Sequence, residues 1–301
     1  MSGNLELEIT PPRIDQIRLP ILDQRSLTLN VLRLDQIHPL VTGNKWFKLK
    51  RNIAHIQQKG FTRVLSFGGA YSNHIRTLAG VGKILNIETI GIIRGELAEP
   101  LNPVLEFAQE QGMLLHSIDR ASYRQKYKDK LLDKLRSRFG DFYLLPEGGS
   151  NELAVKGCEA LAHFVPKVSG QPGSCVALPC GTGATMGGLV RGLAYRREVT
   201  VLGFSVLKAP GYLAAEVARW IHAVPCKQPP AWRVIDDYHC GGYAKSNAEL
   251  AAFMDFWEAN SNIPLEPVYT GKMFYGLFKL IESGYYPEGT EILAIHTGGL
   301  H

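Results

Sequence analysis

The stretch CVALPCGTGATMGG, residues 175–188, decides the fold. It opens with four apolar residues, turns through Gly181 and Gly183, and enters a helical pattern near Met186. An apolar run without polar alternation reads as a strand covered on both faces. A strand that passes through a glycine turn into a helix is the building unit of parallel α/β sheets. The unit recurs along the chain. Apolar runs at 63–67, 89–93, 114–118, 199–206 and 292–296 alternate with helical periods at 45–58, 72–81, 101–111, 152–164, 213–222, 248–260 and 272–283. The expected class is therefore α/β, with open twisted sheets and helices on both faces. Residues 27–34 instead alternate apolar and polar, as an edge or antiparallel strand does. KQPPA (227–231) reads as a surface loop, and the basic stretch 120–138 as a solvated helix with no function assigned.

Length and composition narrow the class. At 301 residues the chain makes one large or two medium domains. A net charge of +5, spread along the sequence, is too weak for nucleic acid yet suits a small anionic ligand. No apolar run approaches the roughly 18 residues of a membrane span, and MSGNLELEIT lacks the pattern of a secretory signal. Five scattered cysteines without a C-x-x-C pair argue against a disulfide framework or structural zinc and for a reducing, cytoplasmic compartment. No metal site is expected.

Four segments share strand, glycine turn and hydroxyl or amide residue: SFGGAYSNH (66–74), PEGGSNELA (146–154), LPCGTGATMGG (178–188) and HTGGL (296–300). Such turns gather where strand carboxyl ends open into a crevice, and free helix N–H groups there attract anions. Gly181, Thr182, Gly183, Ala184 and Thr185 form the best phosphate cradle. They lack the G-K-[ST] ending of a nucleotide P-loop, and Met186 stands where a dinucleotide fold needs its third glycine. The residues alone leave a single-phosphate cradle and a plain strand-to-helix turn both open.

GNKWFKLKRNI (43–53) begins a helix with Asn44 as the expected N-cap. Lys45 and Lys48 lie three apart on one face. A lysine at a helix N-terminus opposes the dipole, and Lys48 adds repulsion, so both effects favour a neutral, nucleophilic Lys45 amine. A structural lysine is the other reading.

In order, GNKWFKLKRNI, GGAYSNHIR, PEGGSNELA, CGTGAT, EPVYTGKMFYG and HTGGL resemble the pyridoxal-phosphate enzymes of the 1-aminocyclopropane-1-carboxylate deaminase / D-cysteine desulfhydrase family, with the tryptophan-synthase-β-like fold (fold type II). The resemblance implies pyridoxal 5′-phosphate as cofactor and a homodimer. It implies a smaller domain, 48–146, inserted into a larger cofactor domain formed by 1–47 and 147–301. It makes Lys45 the lysine that joins the cofactor aldehyde and removes the Cα proton. Lys48 and Gly181 to Thr185 hold the 5′-phosphate, and Asn73 bonds the 3-hydroxyl. Ser72, Asn73 and His74 meet the substrate, with Ser72 and His74 at its carboxylate. Tyr243, in CGGYAK, and Tyr269 match the two active-site tyrosines. By themselves the phenols read as core-edge packing, and His74 and His296 as satisfied structural histidines with no proton-transfer role.

Two positions separate members of that family. Thr270 stands where the deaminases have a Glu near the pyridine nitrogen, and Thr297 where they have Leu. A carboxylate would keep that nitrogen protonated and strengthen the electron sink that an unactivated cyclopropane needs; a good thiolate leaving group does not need it. Both positions therefore imply elimination from D-cysteine, with D-serine, β-chloro-D-alanine and L-cysteine open as substrates. The alternatives are cyclopropane ring opening and a cofactor-binding protein without turnover. Relatives usually continue past HTGGL, so an end at His301 is expected to affect closure near the ring nitrogen.

Overall fold

A computed structural model describes residues 7–167, 173–223 and 226–300; residues 1–6, part of the stretch read for a signal, and His301 lie outside them. In chain order the elements are β1 (Ile14–Ile17), α1 (Pro20–Gln24), β2 (Thr28–Arg33), α2 (Asn44–Gln58), β3 (Arg63–Gly68), α3 (Asn73–Leu85), β4 (Glu88–Arg94) and α4 (Pro103–Glu110). There follow β5 (Leu114–Ile118), α5 (Arg120–Arg124), α6 (Asp129–Phe139), β6 (Tyr143–Leu145), α7 (Glu152–Cys158), β7 (Ser174–Cys180), α8 (Ala184–Gly192) and β8 (Val199–Ser205). The last are α9 (Tyr212–His222), β9 (Ala231–Ile235), α10 (Ala248–Ser261), α11 (Thr270–Glu282) and β10 (Glu291–His296).

Two sheets result. One has the order β1-β2-β10-β7-β8-β9, parallel except for the β1–β2 pair; the other, β5-β4-β3-β6, is parallel throughout. The apolar runs are strands for the expected reason. Every residue of β7 is buried, and its side chains alternate between two cores. Cys175 and Ala177 join Phe204, Trp257 and Phe274, whereas Val176 and Leu178 join Phe47, Leu189 and Ile295. That second core continues to Val64 and Ile93 of the smaller sheet, so the two sheets share apolar packing.

The helices beside the site pack backbone to backbone. A side chain on Gly157 of α7 would start 2.0 Å from the Phe47 carbonyl oxygen of α2, and one on Gly188 of α8 would lie 2.5 Å from the Val155 carbonyl oxygen of α7. These close approaches pack α7 between the helix carrying Lys45 and Lys48 and the helix that follows the 181–185 turn.

Several boundaries differ from the sequence reading. Residues 27–34 yield β2, which pairs antiparallel with β1 but parallel with β10; β1 takes the edge. The stretch 120–138 is two helices, and it is not wholly solvated, because Tyr123, Leu132 and Leu135 pack under the smaller sheet. The helix after the 178–188 turn begins at Ala184, ahead of Met186. The period at 152–164 is α-helical only to Cys158 and tightens to a 3-10 helix, Glu159–Phe164. Strands β1, β6 and β9 went unread, and Ala231 of the KQPPA loop already belongs to β9. The domain boundary expected at residue 48 falls within the continuous helix α2. Among the described residues no helix is long and apolar enough to cross a membrane.

Candidate active site

Four strand ends converge: Gly68 of β3, Leu145 of β6, Cys180 of β7 and His296 of β10 each lead into one of the four glycine turns. They enclose an inner cavity bordered by Asn44, Lys45, Lys48, Asn73, Gly181, Thr182, Gly183, Thr185, Tyr269 and Thr297. An outer cavity of about 270 Å³ adds Ser72, His74, Arg94, Glu147 and Tyr243, and shares Lys45, Asn73, Gly181, Thr182 and Tyr269.

Asn44 is not the N-cap expected. Gly43 caps α2 at φ 73°, and Asn44 is the first helical residue, buried. A side chain on Gly43 would collide with the Thr297 carbonyl oxygen, so α2 starts against the HTGGL turn. Asn44 Nδ2 donates to Thr185 Oγ1 at 2.8 Å, and Lys45 Nζ donates to Asn44 Oδ1 at 3.0 Å. One amide thereby links the lysine to the 181–185 turn.

The Lys45 ammonium sits 5.7 Å from the centre of the Tyr269 ring. Its side chain borders the cavity, yet the surrounding protein lowers its pKa to about 8, chiefly by burial, against an opposing pull from Cys158 and Glu266. Lys48 falls to about 7, first through burial and then through Lys45. The direction agrees with the sequence reading, but the cause differs: desolvation leads for both lysines. Lys48 Nζ donates to the Gly148 carbonyl and, at 2.7 Å, to Ser150 Oγ, which is 2.9 Å from Thr182 Oγ1. The Thr182 carbonyl in turn accepts from Trp220 Nε1 at 3.0 Å. Ser150 and Trp220 carried no signal in the sequence beyond their neighbourhood.

Ser72 caps α3 by accepting the Ile75 N–H, and Asn73 opens the helix. His74 borders the outer cavity, but its ring is buried and its Nε2 lies 2.8 Å from Ser66 Oγ, which donates to the Leu145 carbonyl at 2.9 Å. That geometry makes Nε2 the donor. Burial with Lys45 and Lys48 nearby drives the His74 pKa far down, so the ring is neutral. The Tyr269 hydroxyl donates to Tyr243 Oη at 3.4 Å; burial and Tyr243 push its pKa well up and keep it protonated. Tyr243 belongs to a loop held from beneath by Lys272, whose Nζ donates to the Gly242 carbonyl at 2.6 Å.

Thr297 borders the inner cavity, whereas fully buried Thr270 lies behind the wall and borders neither. The Thr270 hydroxyl lies 3.2 Å from Glu266 Oε1 and accepts the Glu266 N–H at 3.0 Å. The Glu266 carboxylate accepts N–H groups of Val268, Tyr269 and Thr270 at 2.8, 2.8 and 2.6 Å. Burial raises its pKa against those bonds. Sequence reading gave Glu266 no role; an acid opening EPVYTGK was the available signal.

These residues fit pyridoxal phosphate: an amine of lowered pKa faces an aromatic wall, and a second lysine with hydroxyls lies beside a glycine turn that opens a helix. A family profile described as "Pyridoxal-phosphate dependent enzyme" matches residues 15–298. A Thermotoga maritima protein named putative 1-aminocyclopropane-1-carboxylate deaminase is 28% identical, over 100% of this chain and 96% of its own. An Arabidopsis thaliana protein named bifunctional D-cysteine desulfhydrase/1-aminocyclopropane-1-carboxylate deaminase, mitochondrial, is 29% identical over 99% of this chain and 79% of its own. A solved structure titled as an ACC deaminase homologue superposes with a TM-score of 0.83 at 25% identity, covering 99% and 91% of the two chains. With six ordered motifs, a converging site and a match across nearly its whole length, the chain belongs to the pyridoxal-phosphate-dependent enzyme family, with the tryptophan-synthase-β-like fold and pyridoxal phosphate as its cofactor.

Proposed function

We propose that the protein eliminates thiolate from a small D-amino acid, D-cysteine first, giving pyruvate, hydrogen sulfide and ammonia with the uptake of one water. The observation that carries this reading is the pair of threonines. Thr297 presents a small hydroxyl residue to the cavity, and by the family resemblance Thr270 stands where the ring-opening enzymes have a carboxylate. The Glu266 carboxylate behind Thr270 is engaged by three backbone N–H groups.

The cofactor, when bound, supplies the aldehyde and the electron sink. Lys45 is the base: a pKa near 8 leaves an appreciable neutral fraction at physiological pH, and the amine withdraws the Cα proton. Lys48, Thr182 and the turn from Gly181 to Thr185 hold the 5′-phosphate, and Asn73 orients the ring through its 3-hydroxyl. Ser72 and the first N–H groups of α3 receive the substrate carboxylate. His74, with its ring tied to Ser66, takes part through its backbone. Tyr243 and Tyr269 flank the Cβ side, and the Tyr269 hydroxyl, kept protonated by burial, delivers a proton to the departing sulfur. Free, scattered thiols favour a reducing compartment, the cytoplasm.

The names of the relatives favour a second reading, ring opening of the cyclopropane amino acid to 2-oxobutanoate and ammonia. Sulfide and pyruvate from D- and L-cysteine, assayed beside 2-oxobutanoate from the cyclopropane substrate, decide between them. Turnover of the cyclopropane substrate alone would overturn the elimination reading.

A further inference from the structure

We infer that Arg94 is a binding residue for the substrate's α-carboxylate, a charged partner to the N-terminus of α3. The inference rests on the amino-acid reading of the site above. Arg94 is the last residue of β4, at the carboxyl edge of the smaller sheet, and it borders the same outer cavity as Lys45, Ser72 and Asn73. Among the described residues it forms no ion pair with a carboxylate.

The nearest acid of the cavity is already satisfied. Glu147 Oε1 accepts from the Tyr123 hydroxyl at 2.8 Å, and Oε2 pairs with Lys126 at 3.1 Å. Arg94 is nevertheless held in place. Its guanidinium sits 5.6 Å from the centre of the Tyr123 ring, and that ring is fixed edge-on by Phe67 at 5.8 Å. The stretch 120–138 thus gains a use: the Tyr123 ring lies against the guanidinium, and Tyr123 and Lys126 engage the carboxylate of Glu147, the acid among the described residues lining this cavity. A cation that rests against an aromatic ring and has no carboxylate partner is placed for an anionic ligand.

Position selects the α-carboxylate over a group farther out on the side chain. Nη2 of Arg94 is the closest group that a side chain at Gly69 would meet, at 3.5 Å. Gly69 lies in the turn that runs from β3 to Ser72 and the start of α3. The guanidinium therefore lies over the turn that leads to Ser72 and to the first N–H groups of α3. A carboxylate held there takes N–H bonds from one side and the fork of the arginine from the other.

The test is a cycle between protein and ligand on the cofactor-loaded enzyme. Binding of D-alanine and of D-alaninamide, which lacks the carboxylate charge, is followed through the visible absorbance of wild type, Arg94→Gln and Arg94→Lys. Arg94 is exposed, so its replacement spares the fold. The expected result is a loss of about tenfold to 100-fold in D-alanine affinity for Arg94→Gln, a smaller loss for Arg94→Lys, and an unchanged affinity for the amide. KM for the turnover substrate rises in step while kcat holds. Equal losses for both ligands, or no loss for either, overturn the inference. D-alanine binding that depends on Arg94, without sulfide release from D-cysteine, overturns the substrate reading alone. A wild-type enzyme that binds neither ligand overturns both.

Discussion

Lys272 reaches from the first turn of α11 to the carbonyl of Gly242, the residue before Tyr243, at 2.6 Å. The lysine is fully buried, and burial lowers its pKa. The loop it holds is conformationally costly at Cys240 and Ala244, non-glycine residues with φ of 50° and 54° on either side of Gly241 to Tyr243. Such backbone persists only where its surroundings over-determine it.

Lys272→Met is therefore expected to release Tyr243. A lost charged hydrogen bond corresponds to about 1.5–3 kcal/mol, or a fall in kcat of roughly tenfold or more, with cofactor absorbance retained. In a Tyr243→Phe background the same change should do little further, because its effect runs through the phenol. Additive losses would assign Lys272 to general stability. Lys272→Arg, which keeps the charge, should recover part of the rate.

The contact between Glu266 and Thr270 governs any attempt to convert the enzyme. Thr270→Glu puts a second carboxylate against a buried one, and two such charges cannot both ionise without penalty. The single variant is expected to melt lower by several kcal/mol of stability and to gain little ring opening. Glu266→Gln added to Thr270→Glu and Thr297→Leu should restore stability and raise the ratio of 2-oxobutanoate to sulfide. An unchanged ratio in the triple variant would show that the threonines do not set the reaction.

The alternation of strands and helices was legible because β7, β8 and β10 are apolar along their length, which only two-sided burial explains. Lys45, Lys48 and the 181–185 turn were legible as motifs. What the sequence did not carry was contact between distant segments. Nothing near position 94 signals that Tyr123 will lie under it, and Asn44 reads as a cap until Thr185 is brought within reach. The short strands β1, β6 and β9 were missed for related reasons: β1 and β6 have only four and three residues, and β9, at the sheet edge, leaves Ala231 and Arg233 exposed and so lacks a continuous apolar run.

Replacing Lys45 tests the base directly. Lys45→Ala should lose the visible absorbance of the loaded enzyme, the borohydride-trapped label on the peptide 43–53, and turnover by on the order of 10³-fold or more. Retention of the label at another lysine would move the whole site.

Lys48 predicts a pH effect on stability in the cofactor-free protein. Its pKa is about 7 folded and near 10.5 unfolded, so between those values the unfolded chain holds the extra proton and stability rises with pH. The slope from this group approaches about 1.4 kcal/mol per pH unit. Lys45 contributes in the same direction above about 8. Melting temperature should therefore climb from pH 7 to 9 in the wild type and climb less in Lys48→Met. Equal slopes would mean that Lys48 is not desolvated.

Gly43 and Gly60 contrast two glycines that bracket α2. Both have positive φ, 73° and 74°, but Gly43, with ψ −167°, lies in a region almost reserved for glycine, so alanine there costs more backbone strain than the about 1–2 kcal/mol of a left-handed position. Around Gly60 nothing lies within 4 Å of an added methyl, whereas at Gly43 the methyl would sit 2.0 Å from the Thr297 carbonyl oxygen and 3.2 Å from Gly298 Cα. Gly60→Ala should cost only the backbone term and leave cofactor binding intact. Gly43→Ala must also part α2 from the HTGGL turn, which also breaks the Asn44 N–H bond to Thr297 at 3.2 Å. Its expected cost is about 1–3 kcal/mol more, with weakened cofactor retention, since Lys45 and Thr297 border the same cavity. Urea melts of both variants, with cofactor occupancy read by absorbance, separate the two contributions; equal costs would mean that the turn yields freely and does not set the position of Lys45.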